Sequence, residues 1–385
     1  MPVNILICDL VGLAFDDKGK PDPSEVKAHI EAKGGIFHVG GMPHSGEGDA
    51  LHFYYHPLIS TRGEILALSD KEQFDAVIAA ATAIPVEAKF RCGGVRIGAG
   101  TGNMGSASWG GPNGTGGTAP LMNTPGFNAR ATAQMTMKAL LHFRPNLPFD
   151  VLHQRVVDGT FETGKDLHKF PTAKLEGQTI AVIGYGNIGR EVAKLAAAFG
   201  MKVKIAARKR HHPRISIDGF SAFKTALEAA RGADVVSVHT GLGPLDAPTG
   251  LYANQGLINT EILSALNVGA TVLNFDRGEC VGAAALDDAM SSGHVANAAI
   301  DADIFRTADS KLSGPMVPYL PLGQKYASRI LLLPHAAADT DHPSRVTGAK
   351  QAIDQIIDAI LNKRVTNLKG DLPAGYVDAG VKLGI

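Results

Sequence analysis

The run AVIGYGNIGREVAKLAAAFGMKVKIAA, residues 181–207, brings Gly184, Gly186 and Gly189 together as G-x-G-x-x-G. The first glycine permits a tight turn, the second lets the backbone approach a pyrophosphate, and the third lets a helix pack closely. The amides of Asn187 and Ile188 would then face the anion at a helix N-terminus. Taken alone the motif is weak. Here a strand-like run precedes it, a helical run follows it, and a second strand-like run closes the unit, which is the context that dinucleotide binding requires.

The next residues, AARKRHH at 206–212, refine that reading. In the NAD-binding version an acidic residue ends the second strand and accepts from the ribose hydroxyls. That place falls on Ala207, followed by Arg208, Lys209 and Arg210. A carboxylate there would repel a ribose 2′-phosphate, whereas an arginine fork binds one through paired hydrogen bonds. The cluster therefore reads as a pocket for NADP in preference to NAD. A solvated basic loop is the competing reading and suits Lys209 or His211 taken singly; Arg208, directly after the missing acid, carries the phosphate argument.

Further candidates lie in three segments. LNFDRGECV places Arg277 just after a strand, at the carboxyl edge where ligands bind in open α/β sheets. ILLLPHAAADT places His335 after the last strand of the same sheet, and MNTPGFNARATAQ forms a loop that leads into a helix.

The elements that must position these residues alternate. After helix ARATAQMTMKALLHF come strand TIAVIG, helix REVAKLAAAFG, strand VKIAA, helix SAFKTALEAARG, strand VVSVH, helix TEILSALNVG, strand TVLNF, helix AALDDAMSSG, strand NAAIDA and finally ILLLPH. This pattern implies a doubly wound parallel sheet over residues 129–338. Residues 1–128 mix strand-like ILICDLVG, AVIAAA and VRIGAG with Gly- and Pro-rich connections. RVTGAKQAIDQIIDAILNKR is an amphipathic helix with Ile353, Ile356, Ile357 and Ile360 on one face. The expected class is α/β, with two Rossmann-like or flavodoxin-like domains whose parallel sheets are separated by a cleft. Residues 1–128 plus 339–385 would form the substrate (catalytic) domain and 129–338 the dinucleotide-binding domain, with chain crossings near 128 and 340 as the hinge.

These segments together resemble the D-isomer-specific 2-hydroxyacid dehydrogenases. The family's NTPG-x-N segment is matched at 123–128, its glycine motif and helix at 184–200, and its N-x-x-R-G motif at Asn274 to Gly278, with Val281 and Ala285-Leu286 following. Its A-x-D segment is matched at Ala299 to Asp301 and its P-H motif at Pro334-His335, in order and spacing over roughly residues 90 to 345. The resemblance implies hydride transfer between a nicotinamide and C2 of a small 2-keto or 2-hydroxy acid. His335 would be the acid and base, since an imidazole titrates near the working pH. Arg277 would hold the substrate carboxylate and polarise the carbonyl. The turn IGAGTG resembles the family's carboxylate-binding loop and implicates Thr101 and Gly102, against the plain reading of a Gly-rich turn. Asp301 would contact the nicotinamide amide. Homodimers joined through the coenzyme domains are the family's common assembly.

The sequence also departs from the family. The glutamate that usually orients the imidazole is absent: five residues past Asp301 stands Arg306. Asp303 is the candidate replacement, and without a carboxylate partner the imidazole should titrate at lower pH. GGMPHSGEGDALHFYYHPLISTRGE and SASWGGPNGTGGTAP look like insertions able to form a lid or a subunit contact. His44, His52 and His56 are too loosely spaced to argue a metal site.

Bulk properties set the bounds. The 385 residues are 45% hydrophobic and 19% charged, with a formal net charge of zero, so no global field favours nucleic acid or a membrane surface. Cys8, Cys92 and Cys280 are few and scattered, which suits a reducing compartment. MPVNILICDL reads as a first strand, and no apolar stretch approaches the roughly 20 residues a bilayer span needs. The expectation is a cytoplasmic NADP-dependent 2-keto acid reductase, without nucleic-acid or membrane partners and without a metal. The alternatives are a nucleotide-sensing binding protein of the same fold with little or no turnover, and a formate- or phosphite-type dehydrogenase.

Overall fold

The structure, a computed structural model, describes residues 2–10, 14–45, 48–57, 61–69, 73–144, 148–170, 172–246, 248–307, 309–335 and 341–382. The chain forms two compact units, Met1–Ala131 with Asp339–Ile385, and Thr132–Ala338. The crossing expected near residue 340 lies outside the described residues.

The first unit runs β1 (Val3–Ile7), α1 (Ser24–Ala32), β2 (Ile36–Val39), β3 (Leu51–Tyr55), α2 (Arg62–Ser69), β4 (Ala76–Ala79), β5 (Gly93–Arg96) and β6 (Leu121–Asn123). These strands form a parallel sheet in the order β2-β3-β1-β4-β5-β6. Strands covered on both faces read as continuous apolar runs, and successive side chains serve opposite cores. Ile5, Ile7, Phe53, Ile78 and Val95 pack on one face, while Leu6, Tyr54, Val77 and Ala79 pack on the other.

The described residues of both stretches that look like insertions belong to this unit. LHFYY is β3, fully buried between β1 and β2. The Gly-rich connection between β5 and β6 buries Trp109 completely, stacked 6.1 Å from Phe90, with its indole nitrogen donating to the Met104 carbonyl at 3.0 Å. Ser106 donates to Ala88 and Ser108 accepts from the Phe90 amide. A side chain at Gly117 would meet the Trp109 backbone at 2.0 Å, so the glycines there permit close packing around an aromatic plug. The segment thus sends Trp109 into the core of this unit while residues 112, 113, 115 and 116 stay exposed.

Helix α3 (Ala129–His142) leads into the second unit, followed by α4 (Phe149–Val157) and α5 (Thr163–Asp166). Then come β7 (Thr179–Ile183), α6 (Asn187–Ala198), β8 (Lys202–Ala206), α7 (His212–Ile217), β9 (Ser221–Phe223), α8 (Ala226–Ala230) and β10 (Val235–Val238). A hairpin, β11 (Leu245–Asp246) with β12 (Leu251–Tyr252), precedes α9 (Thr260–Ser264), β13 (Ala270–Asn274), α10 (Ala283–Ser291) and β14 (Val295–Ala302). A second hairpin, β15 (Phe305–Arg306) with β16 (Leu312–Ser313), precedes α11 (Leu320–Lys325) and β17 (Ile330–Pro334). The sheet is parallel throughout in the order β9-β8-β7-β10-β13-β14-β17, a doubly wound arrangement. The chain order reverses between β7 and β10, the position at which such sheets bind ligands.

The helix expected over SAFKTALEAARG is shorter than its pattern suggests. Its first three residues pair with β8 as β9, and the helix begins after Thr225, whose side chain forms a capping box with Glu228. Helix α7, between β8 and β9, was not anticipated.

Helix α12 (His342–Leu361) returns to the first unit and buries Ile353, Ile356 and Ile360 in its core, with Ile357 partly buried beside them. Short strands β18 (Arg364–Val365), β19 (Leu368–Lys369) and β20 (Val377–Asp378) follow, and β19 closes the first sheet antiparallel to β6. No helix among the described residues is long and apolar enough to cross a membrane.

Candidate active site

Arg277, Asp301 and His335 converge at the carboxyl ends of the neighbouring strands β13, β14 and β17. Each is held by its local chain. Buried Asn274 donates to the carbonyl of Arg277 at 2.9 Å and accepts from the Asp276 amide at 3.3 Å, which ties the turn after β13. Gly278 lets that turn lie against β14, because a side chain there would come within 2.7 Å of the Ala302 methyl group. The Tyr319 hydroxyl reaches the Val281 carbonyl at 2.6 Å from the other side. β17 pairs in register with β14, Asp301 opposite Leu333, and the His335 amide donates to the Ala302 carbonyl at 3.2 Å.

That register sets the imidazole's partner. His335 Nδ1 lies 2.7 Å from Oδ1 of Asp301, whose side chain is 5% exposed. Asp303 stands 3.6 Å from Arg277 Nη1. The expected orienter of the imidazole, Asp303, is therefore corrected to Asp301. The condition for a lowered His335 pKa, the absence of any carboxylate partner, is therefore not met. Burial pulls the imidazole down and Arg277 adds to that, but the Asp301 hydrogen bond and the charges of Asp301 and Asp303 outweigh them, so the net is above the ordinary histidine value. With Nδ1 bonded to Asp301, Nε2 is the ring nitrogen left able to exchange a proton.

Asp276, unremarked in the sequence, is a third carboxyl at this edge. It accepts from the Gly241 amide, and burial raises its pKa against the pull of that amide and of Arg277. Asn254 donates to the Gly241 carbonyl at 2.8 Å, so the turn after β10 is held from two sides.

The glycine turn lies on the same edge, after β7. Gly184 has φ +102°, and a side chain on it would meet the His239 carbonyl at 2.2 Å. One on Gly189 would meet the Gly184 carbonyl at 2.2 Å, whereas Gly186 faces open space and caps α6, whose first residues are Asn187 and Ile188. Two glycines thus pack and one stays open, the division a bound pyrophosphate needs. Tyr185 donates to Asp218 at 2.7 Å, and Arg190 donates to the same carboxylate at 2.8 Å, bracing the turn against α7. Buried His239 shares a 2.8 Å hydrogen bond with Ser237, and burial pushes its pKa down to about 3. Asp218 and His239 carry no sequence signal that distinguishes them from ordinary helix-end and strand-end residues.

Arg208, Lys209 and Arg210 are exposed on a turn directly after β8. The His211 amide bonds the Arg208 carbonyl at 2.9 Å, and His212 bonds Ala207 at 2.9 Å, so the turn has a defined shape. Arg210 Nε lies 3.3 Å from the His211 ring. In the first unit, Thr101 and Gly102 form a turn after β5, with the Met104 amide bonding the Thr101 carbonyl at 2.9 Å and Thr101 Oγ1 donating to Pro112 at 3.2 Å. His38, His44 and His52 stack beside Tyr54, with ring nitrogens of His38 and His52 3.0 Å apart. Among the described residues no group of His, Cys, Asp and Glu side chains is placed to hold a metal ion.

Residues 146–337 match the family described as the D-isomer-specific 2-hydroxyacid dehydrogenase, NAD-binding domain. The chain belongs to the D-isomer-specific 2-hydroxyacid dehydrogenases. Among curated members it is 31% identical to the D-3-phosphoglycerate dehydrogenase of Bacillus subtilis over 215 residues, covering 54% of this chain and 38% of that one. The chain thus spans well under two thirds of that relative's length. Among solved structures, the NAD+-bound 3-phosphoglycerate dehydrogenase of Entamoeba histolytica superposes with a TM-score of 0.62 at 18% identity, covering 98% of this chain and all of that one. The NADPH-dependent glyoxylate/hydroxypyruvate reductase of Sinorhizobium meliloti superposes with a TM-score of 0.60 at 18% identity, covering 95% and 97%. Members of this 2-hydroxyacid dehydrogenase fold therefore include proteins that use either dinucleotide.

Proposed function

We propose that the chain is an oxidoreductase that moves a hydride between NADP(H) and C2 of a small 2-keto or 2-hydroxy acid. The observation that carries the reading is the His335–Asp301 pair, 2.7 Å apart, beside Arg277 at three adjacent strand ends. Arg277 holds the substrate carboxylate and polarises its carbonyl oxygen with a charge that never titrates away. His335 gives a proton to that oxygen in reduction and takes it back in oxidation. Asp301 holds the imidazole in one orientation and stabilises its protonated form. Thr101 and Gly102 are further candidate substrate contacts.

The dinucleotide, when bound, supplies or accepts the hydride. The open backbone at Gly186 and the first amides of α6, Asn187 and Ile188, fit its pyrophosphate. Arg208, with Lys209 and Arg210, fits a 2′-phosphate, which favours NADP over NAD.

The reading includes a homodimer in a reducing compartment, the cytoplasm. Helix α4 buries none of its side chains, and Phe149, Val156 and Val157 are 75%, 62% and 65% exposed, an apolar face that a second copy would cover. The three cysteines are free thiols. Purified protein mixed with glyoxylate or hydroxypyruvate is expected to oxidise NADPH faster than NADH. Oxidation of neither would remove the reading.

A further inference from the structure

We infer that Asp303 makes the substrate site discriminate by charge, selecting 2-keto acids whose side chain is uncharged over those bearing a second anionic group. The inference rests on the reading of Arg277 as the substrate's carboxylate anchor. Asp303 Oδ2 stands 3.6 Å from Arg277 Nη1, and both side chains are about one third exposed, at 35% and 38%, so solvent and substrate reach them. A substrate carboxylate must share the guanidinium with this resident one.

The placement of Asp303 is built. Its carbonyl accepts from the Met316 amide at 3.0 Å. Gly314, at φ +99°, lies so close that a side chain on it would meet that carbonyl at 2.9 Å. The hairpin β15–β16 that follows exposes Ile304, Phe305 and Leu312. Its own cations are engaged internally, Arg306 with the Ser310 carbonyl at 3.1 Å and Lys311 with Asp309 at 2.7 Å. Asp276 and Asp301 add two more carboxyls at the same strand ends, beside the guanidinium of Arg277 and the imidazole of His335. One anionic group on a substrate is matched by Arg277. A second enters a region already rich in carboxylates. In a site this open to solvent, one unit charge changes affinity by up to about fivefold.

The test compares two keto acids of equal chain length, 2-oxopentanoate and 2-oxoglutarate, in steady-state reduction by the whole protein and its Asp303→Asn variant. Wild type is expected to favour 2-oxopentanoate by about fivefold in kcat/KM. Asp303→Asn, and independently Asp303→Ser, should lower KM for 2-oxoglutarate by about fivefold and narrow the preference, as should added salt with the wild type. Equal use of the two acids by wild type, or an unchanged KM for 2-oxoglutarate in both variants, overturns the inference. So does a fall in kcat at constant KM, which would make Asp303 a positioning residue for Arg277. Turnover of 2-oxopentanoate alongside any of these results leaves the dehydrogenase reading standing. Absence of turnover with every 2-keto acid tried overturns both.

Discussion

Replacing Asp301 by Asn tests the chemistry at its most specific point. The substitution keeps the shape, and the amide oxygen can still accept from Nδ1, but the charge opposite the imidazole is gone. In the native site that charge lifts His335 above its ordinary pKa despite burial and Arg277, both of which push the other way. Without it the lowering influences prevail, and the protonated imidazole that reduction consumes becomes scarce at neutral pH. A hydrogen bond to a charged, buried partner is worth about 1.5–3 kcal/mol, which is about 10- to 150-fold in rate. The assay is the pH dependence of kcat for reduction of hydroxypyruvate at saturating dinucleotide. Its high-pH limb reports loss of the His335 proton, so in Asp301→Asn that limb should move toward acid and the rate at neutral pH should fall by the stated factor. Dinucleotide affinity should change less than the rate. An unmoved limb with a rate near wild type would refute the argument that Asp301 sustains the imidazolium. An unmoved limb with greatly weakened dinucleotide binding would give Asp301 to the cofactor instead.

Other substitutions probe the remaining parts. Arg208→Asp should lower kcat/KM for NADPH relative to NADH by about tenfold or more, the scale of one charge-assisted phosphate contact, and an unchanged ratio would remove the 2′-phosphate assignment. Gly184→Ala places a methyl group 2.2 Å from the His239 carbonyl at a φ of +102°, so thermal stability should drop by about 1–3 kcal/mol and dinucleotide binding should weaken, which melting with and without NADPH reports. His239, held neutral by burial with a pKa near 3, makes the second unit acid-labile. Its folded-state pKa is below the unfolded value of about 6.5, so the stability tied to its neutral form is complete above that pH and is lost progressively as pH falls toward 3. His239→Gln should flatten the dependence of Tm on pH over that interval; a slope equal to wild type would contradict the assignment.

The parts of the site that could be read in the sequence are those whose demands are local. The glycine turn needs a positive φ at Gly184 and close packing at Gly189, and only glycine meets both. Arg277 and His335 were legible because each lies within three residues of the end of an apolar strand and so stands at the sheet's carboxyl edge. The choice between Asp301 and Asp303 was not legible, since it depends on the register of β14 against β17, a property of two strands that neither sequence states. β3 was missed because LHFYY is bracketed by Gly, Pro and His that resemble loop residues, while its burial comes from flanking β1 and β2. The Gly-rich stretch hid its packing for a related reason. Glycine density signals freedom in an open loop, but around Trp109 it signals contact too tight for any side chain.

The central claim is that His335, seated against Asp301 at the end of β17, exchanges the proton of a 2-keto acid's carbonyl oxygen. It is tested most directly by the single-turnover rate of NADPH oxidation by hydroxypyruvate in His335→Gln compared with wild type, with NADPH affinity measured in parallel. The account expects the rate to fall by about 100-fold or more while NADPH binds as before. A variant that turns over at the wild-type rate would contradict it.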